Sequence, residues 1–115
     1  MKYEGSCHCG RIAFEVEGEL KGAMACNCSM CQRKGSLLWF VPRDDFTLRT
    51  PREDMGTYLF NKHLLEHHFC PACGIHPVAE GTDPKGNKMT AVNIRCLEGI
   101  DLESIPVTHF DGRSR

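Results

Sequence analysis

Seven cysteines in three tight groups constrain this chain more than any other feature. They are Cys7-His8-Cys9, Cys26-Asn27-Cys28-Ser29-Met30-Cys31 and Cys70-Pro71-Ala72-Cys73, while an eighth, Cys96, stands apart. Cysteines at such short spacing either form disulfides or hold a metal, and the redox compartment decides between them. Residues 1 to 20 carry Lys2, Glu4, His8, Arg11, Glu15, Glu17 and Glu19, a density of polar groups that leaves no apolar run for an export signal or a membrane helix. The chain is therefore expected to be cytoplasmic, with its thiols reduced and available as metal ligands. Lys and Arg total 14 against 15 for Asp and Glu, a formal net charge of −1, so no global field attracts nucleic acid or a membrane surface.

In a tetrahedral all-thiolate site with metal–sulfur bonds of about 2.3 Å, the ligand sulfurs lie about 3.8 Å apart. Short chain spacings with a turn provide that separation. Neither a Cys-x-Cys nor a Cys-x-x-Cys pair completes a tetrahedron alone, and the simplest combination joins Cys7 and Cys9 with Cys70 and Cys73. Pro71 fixes the first turn position, and Gly10 and Gly74 follow the pairs where positive φ aims backbone N–H groups at thiolates. Sites of this kind contribute on the order of 10 to 16 kcal/mol in isolated peptides. A chain of 115 residues buries only roughly two thirds of its unfolded surface and gains from such a cross-link.

The middle group supplies three thiolates, Cys26, Cys28 and Cys31, and three protein ligands are what a catalytic zinc site has when water or substrate takes the fourth position. The competing arrangement closes this site with Cys96. Alternation over Met89 to Leu97 puts Cys96 in phase with Val92 and Ile94, where a cysteine acts as a small buried hydrophobe, and favours the open site. His8, His67, His68 and His76 are not counted as ligands. In an extended stretch His8 points away from a metal held by its neighbours, and of the adjacent His67 and His68 one must face out. An all-thiolate tetrahedron suits zinc and iron alike.

Between the cysteine groups the chain reads as strands. Gly5, Gly10, Gly18, Gly22, Gly35 and Pro42 break the first half into pieces too short for ordinary helices. Arg11 to Glu17 alternates, with Ile12, Phe14 and Val16 on one face; Leu37 to Val41 is a short apolar run; Thr57 to Phe60 and Leu64 to Phe69 form a hairpin through Asn61-Lys62. Thr82 to Lys88 is a polar loop, and Ser29 to Lys34 makes at most one helical turn. The chain is expected to be all-β, a single zinc-binding domain over residues 1–115.

The stretches Gly5-Ser6-Cys7-His8-Cys9-Gly10, Cys26 to Cys31, Phe69-Cys70-Pro71-Ala72-Cys73-Gly74 and Val92-Asn93-Ile94-Arg95-Cys96-Leu97 resemble the glutathione-dependent formaldehyde-activating family, which includes the centromere protein V type domains. The resemblance runs from about Gly5 to Gly112 and includes a Phe-Asp-Gly end. It implies a β-tent of stacked antiparallel sheets. It also implies two zinc ions, one structural on Cys7, Cys9, Cys70 and Cys73 and one catalytic on Cys26, Cys28 and Cys31, with Cys96 not a ligand. The family's named reaction joins formaldehyde to glutathione as S-hydroxymethylglutathione.

The expected function is that of a zinc-dependent carbon–sulfur lyase or thiol–aldehyde condensing enzyme, with a small thiol such as glutathione and an aldehyde as partners. Three thiolates leave the metal electron-rich, which favours activation of a bound thiol over polarisation of a carbonyl. Arg33, Lys34, Gly35 and Ser36, next to the cluster in sequence, are the candidate substrate-binding residues, a basic side chain there holding a substrate carboxylate. Arg11, Arg43 and Arg95 contribute only if the fold brings them near. The alternative is a non-enzymatic zinc module with two closed four-cysteine sites.

Overall fold

The computed structural model describes residues 1–60 and 65–111. In chain order the elements are β1 (Lys2–Ser6), β2 (Ala13–Glu17), β3 (Ala23–Cys26), α1 (Ser29–Lys34), β4 (Leu38–Pro42), β5 (Phe46–Leu48), β6 (Gly56–Phe60), β7 (Leu65–Phe69), β8 (Val78–Thr82), β9 (Lys88–Asn93) and β10 (Val107–Phe110). Short 3-10 turns cover Ile94–Cys96 and three other sites. The fold is all-β, with α1 supplying the single turn of helix expected at Ser29 to Lys34. No helix among the described residues is long and apolar enough to cross a membrane.

Among the described residues two sheets form, one of three strands in the order β1-β2-β5 and one of seven in the order β10-β3-β4-β9-β8-β7-β6. In β2 the alternation of Ala13-Phe14-Glu15-Val16-Glu17 buries Phe14 and Val16, as expected for a strand covered on one face. Across the large sheet, Trp39, Val92 and Val78 lie abreast in register. They share the main core with Phe14 and Val16, so this face packs on the small sheet. Tyr3 and Trp39 meet edge to face, with ring centroids 5.7 Å apart, the geometry aromatic quadrupoles prefer.

The opposite face of the large sheet carries the remainder of the chemistry. Phe40, Ala91, Ala79, His67 and Tyr58 lie abreast on it, as do Pro42, Met89, Gly81 and Leu65 in the next row. This face is covered only in part, by α1: Cys31 packs with Leu38, Ala79 and Ala91.

Three local expectations change. The strand expected to run to Leu97 stops at Asn93, because the Asn93 side chain accepts from Arg95 N at 3.2 Å and starts a 3-10 turn. Cys96 therefore sits in a turn, and its partial burial is not the result of strand alternation. The sheets are not wholly antiparallel, since β10 returns to pair parallel with β3. His67 and His68 are both buried, at 4% and 3% exposure, because Lys34 of α1 lies against His67 while Thr57 and Glu80 of the neighbouring strands enclose His68. The hairpin β6–β7 pairs antiparallel with Gly56 opposite Phe69; its Asn61-Lys62 connection and Leu64, like Gly112 near the C-terminus, lie outside the described residues.

Candidate metal centres

The sulfurs of Cys7, Cys9, Cys70 and Cys73 all lie within 4.8 Å of one another. Cys9 Sγ is 3.7 Å from Cys7 Sγ and 3.6 Å from Cys70 Sγ, close to the sulfur separation of a tetrahedral thiolate site. Each pair is seated by the same backbone device. Cys7 N donates to Ile12 O at 3.0 Å and Cys70 N to Ile75 O at 2.9 Å. Ile12 N in turn donates to Cys7 Sγ and Cys73 N to Cys70 Sγ, which stabilises thiolate character. Gly10 and Gly74 take φ of 85° and 82°, a left-handed conformation that glycine adopts without strain. Backbone N–H groups of Ile75 and Cys9 draw the Cys73 thiol down to about 6. For Cys9 the Arg11 N–H pulls down, but the adjoining Cys70 thiol and burial carry it up to about 11. The backbone donors that lower Cys73 favour its thiolate form, and a divalent cation held by the four sulfurs would offset the crowding of thiols that raises Cys9.

The sulfurs of Cys26, Cys28 and Cys31 form a second group, also mutually within 4.8 Å. Cys26 ends β3, Cys28 is the N-cap of α1, and Cys31 lies in its first turn. Cys28 Sγ accepts from Cys31 N at 3.3 Å, and Cys26 Sγ accepts from Cys28 N at 3.5 Å. Gly35, at φ 69°, ends the helix by donating to Cys31 O. Burial pushes Cys28 up, but the Cys31 N–H and the neighbouring thiols leave it lowered overall. Burial and Cys28 drive Cys31 up to about 12. Among the described residues no fourth Cys, His, Asp or Glu joins this group, and Cys96 belongs to neither group. Its sulfur accepts from Asn93 Nδ2 at 3.7 Å, while burial, Cys7 and Cys73 raise the thiol to about 11. Both donor sets fit zinc in kind and spacing.

A cleft of about 470 Å³ opens beside α1, lined by Lys34, Ser36, His8, His76, Asn93 and Arg95 among others. Two of the four residues proposed from sequence therefore face it. Gly35 contributes its carbonyl, which accepts from Arg95 Nε at 3.2 Å. Arg33 folds back along its own helix onto Ser29 O and is not part of the lining. Lys34 Nζ lies 3.2 Å from His67 Nδ1. Burial lowers the Lys34 ammonium, and burial with the nearby Lys34 charge holds His67 down at about 4. Ser36 is 5% exposed and its Oγ has no protein partner; His76 Nδ1 is likewise buried and unpartnered.

His76, His8 and Asn93 were not among the sequence candidates for substrate binding, whereas Arg95, expected to contribute only if the fold brought it near, does line the cleft. The one available signal was the Asn93-Ile94-Arg95-Cys96 stretch, whose turn carries Asn93 and Arg95 to the cleft. Arg11 instead approaches Asp54 at 3.7 Å. Arg43 and Arg52 converge on the buried Glu80, which also meets His68 Nε2 at 2.8 Å. The His68 contact and the Arg52 guanidinium hold the Glu80 carboxyl down at about 2.

The family model described as glutathione-dependent formaldehyde-activating enzyme matches residues 2–110. A crystal structure of a Rhodobacter sphaeroides protein resembles the chain with a TM-score of 0.77 at 30% identity, covering 91% of this chain and 99% of that one.

Proposed function

The chain belongs to the glutathione-dependent formaldehyde-activating enzyme family, and from that premise we propose that it is a carbon–sulfur lyase that joins a small anionic thiol such as glutathione to an aldehyde at the Cys26–Cys28–Cys31 cluster. The observation that carries this reading is a group of three sulfurs that no fourth Cys, His, Asp or Glu among the described residues completes. Three protein ligands and a free position are the arrangement of a catalytic zinc site. When bound there, zinc supplies a positive centre that favours the thiolate form of an added thiol. Zinc on Cys7, Cys9, Cys70 and Cys73 is structural in this proposal.

The chain's own residues bind and orient. Glutathione carries an amino group and two carboxylates, and Lys34 and Arg95 with Glu98 line the cleft next to α1, the two cations suited to charge-assisted hydrogen bonds with a carboxylate and the acid to the amino group. Ser36 Oγ and His76 Nδ1, buried with no protein partner, are groups whose hydrogen-bonding capacity a ligand would fill. In the reaction the carbon–sulfur bond forms as the carbonyl π bond opens, and the proton lost by the thiol ends on the former carbonyl oxygen. Burial makes the Lys34 ammonium readier to release a proton than a surface lysine, and His67 beside it is neutral at pH 7. In this proposal Lys34 gives its proton to the former carbonyl oxygen and regains one from the thiol, with neutral His67 3.2 Å away as its hydrogen-bond partner.

Cobalt-substituted protein titrated with glutathione tests the proposal. A change in the sulfur-to-cobalt absorption is expected for the wild type and not for Cys28→Ser. The serine caps α1 as well as cysteine does, so the helix survives the loss of the sulfur. No spectral change at millimolar glutathione, or unaltered thiol–aldehyde turnover in Cys28→Ser, would sink the assignment.

A further inference from the structure

The outer face of the large sheet contains a trough. Its floor is Ala79, Ala91 and Gly81, which lie side by side because Ala79 pairs with Ala91 and Gly81 with Met89. The next strands raise the sides, with Phe40 opposite Ala91 and Leu65 opposite Gly81. Thr82, Asp83 and Pro84 close one end. The trough holds about 230 Å³, against ~150 Å³ for an apolar cavity that binds benzene. Phe40 and Leu65 stand 42% and 38% exposed on its rim. An apolar chain lying in the trough would cover both side chains.

The position of the trough bears on which apolar chain could enter it. Ala79 and Ala91 are also the residues on which Cys31 packs, with Cys26 and Cys28 against the same small cluster. The apolar floor thus runs up to the three-sulfur group. The charged cleft of Lys34, Ser36 and Arg95 is lined by a separate set of residues. One thiol–aldehyde adduct extends in two directions from its new carbon–sulfur bond, toward the thiol's carboxylates and toward whatever the aldehyde carbon bears. Formaldehyde bears only hydrogen and would leave the trough unused.

We propose that the trough receives the hydrocarbon substituent of the aldehyde, so that the substrate class is aldehydes bearing an unbranched chain of about four to six carbons. This inference rests on the thiol–aldehyde reading above. Each methylene added to the aldehyde is expected to raise kcat/KM with glutathione roughly two- to fourfold until the trough is full.

Two measurements on the zinc-loaded protein test it. The first is kcat/KM across formaldehyde, propanal, butanal and hexanal for wild type, Phe40→Ser and Leu65→Ser. The proposal expects a rising series in the wild type and a hexanal-to-formaldehyde ratio reduced about tenfold in either variant. A flat or falling series with measurable turnover overturns it and leaves the function standing, whereas no turnover with any aldehyde sinks the function itself. The second is calorimetric binding of S-methylglutathione and S-hexylglutathione, which needs no turnover. Tighter binding of the hexyl compound that is lost in both variants supports the trough as the hydrocarbon site, and equal binding of the two overturns it. Light scattering supplies the remaining outcome: a dimer that Phe40→Ser and Leu65→Ser convert to monomer would assign the face to a second copy of the chain and overturn the proposal.

Discussion

Gly5→Ala provides a demanding check on how the first cysteine pair is positioned. A Cβ at Gly5 would stand 2.4 and 2.8 Å from Phe14 ring carbons and 2.9 Å from the Cys96 carbonyl oxygen. Carbon atoms in contact normally sit about 3.5–4.0 Å apart, so the overlap with the ring is about 1 Å. Neither neighbour yields easily. Phe14 is 1% exposed and packs on Phe46 with centroids 5.3 Å apart. The Cys96 carbonyl belongs to a turn that is tied to β1 through the Gly5–Leu97 bridge and the Glu98 N to Glu4 O hydrogen bond of 2.9 Å.

Overpacking costs typically 1–3 kcal/mol, and two independent clashes place this case near the upper end. The lost backbone freedom of the unfolded chain offsets about 0.4–1 kcal/mol. The expected net loss is about 2 kcal/mol, or roughly 10 °C in Tm for a domain of this size. The assay is urea and thermal unfolding at one fixed free zinc concentration, because metal binding is linked to stability. Gly10→Ala is the control, with φ of 85° and nothing within 4 Å of its added Cβ; its cost is the left-handed strain alone, about 1–2 kcal/mol. In a Phe14→Leu background, which removes ring atoms, Gly5→Ala should cost about 1 kcal/mol less. A Gly5→Ala protein within 0.5 kcal/mol of wild type, or an equal cost in both backgrounds, would refute the reasoning (thresholds set by ordinary error in such cycles, about 0.3–0.5 kcal/mol).

Four other expectations follow from the same coordinates. Glu80→Gln should destabilise by about 3 kcal/mol in urea at pH 7, since it breaks a buried ion cluster, while Arg52→Ala, whose side chain is 58% exposed, should cost under about 1 kcal/mol. His67 is held near 4 against an ordinary 6.5, so the unfolded chain takes up that proton first. Stability should therefore fall as pH drops from 6.5 toward 4, by up to about 3 kcal/mol, and urea midpoints of His67→Gln should show a shallower slope over that window. Cys70→Ser should be unfolded at 25 °C by circular dichroism, because a structural zinc contribution of about 10–16 kcal/mol matches or exceeds the whole stability of a small domain; Cys28→Ser should keep its fold. By calorimetry Arg95→Ala should weaken glutathione binding about tenfold, and Arg33→Ala, directed away from the cleft, should change it less than about twofold.

The parts of the site legible in the sequence are those that local chemistry dictates. A thiolate pair with a following glycine specifies its own turn, so the knuckles at Cys7-Cys9-Gly10 and Cys70-Cys73-Gly74 could be read without knowing the fold. Their pairing across 61 residues followed from the arithmetic of a tetrahedron. The alternation of β2 was equally direct, because one face meets the core and the other meets solvent. What escaped was non-local. Alternation failed at β9 because a side chain, Asn93, competes with the ladder for Arg95 N. It failed again at His67-His68 because neither side chain reaches solvent: Lys34 of α1 lies against His67, and Thr57 and Glu80 of the neighbouring strands enclose His68. The parallel return of β10 to β3 leaves no signature in either strand, since a strand's own residues do not name its neighbour.

The two sulfur groups differ in what surrounds them, and this difference supports the proposal that one is a brace and the other the reaction site. Cys7 and Cys70, 2% and 0% exposed, form a small core with Ile12, against which Leu48 of β5 and Met55 pack, so the group fastens the small sheet to the end of the large one. A divalent ion held by the four thiolates would carry two net negative charges, which the backbone N–H groups of Ile12 and Cys73 would offset. The outer group rests on one helical turn and two alanines. With three thiolates it keeps a single net negative charge, and a substrate thiolate would add a second. Lys34, whose field already bears on Cys31 and Cys28, is positioned to offset that second charge. The same side chain borders the cleft suited to carboxylates. On the function proposed above, a site built this way would gain most from a ligand that brings its own sulfur and its own acid groups together, as an anionic thiol does and water or a neutral carbonyl does not.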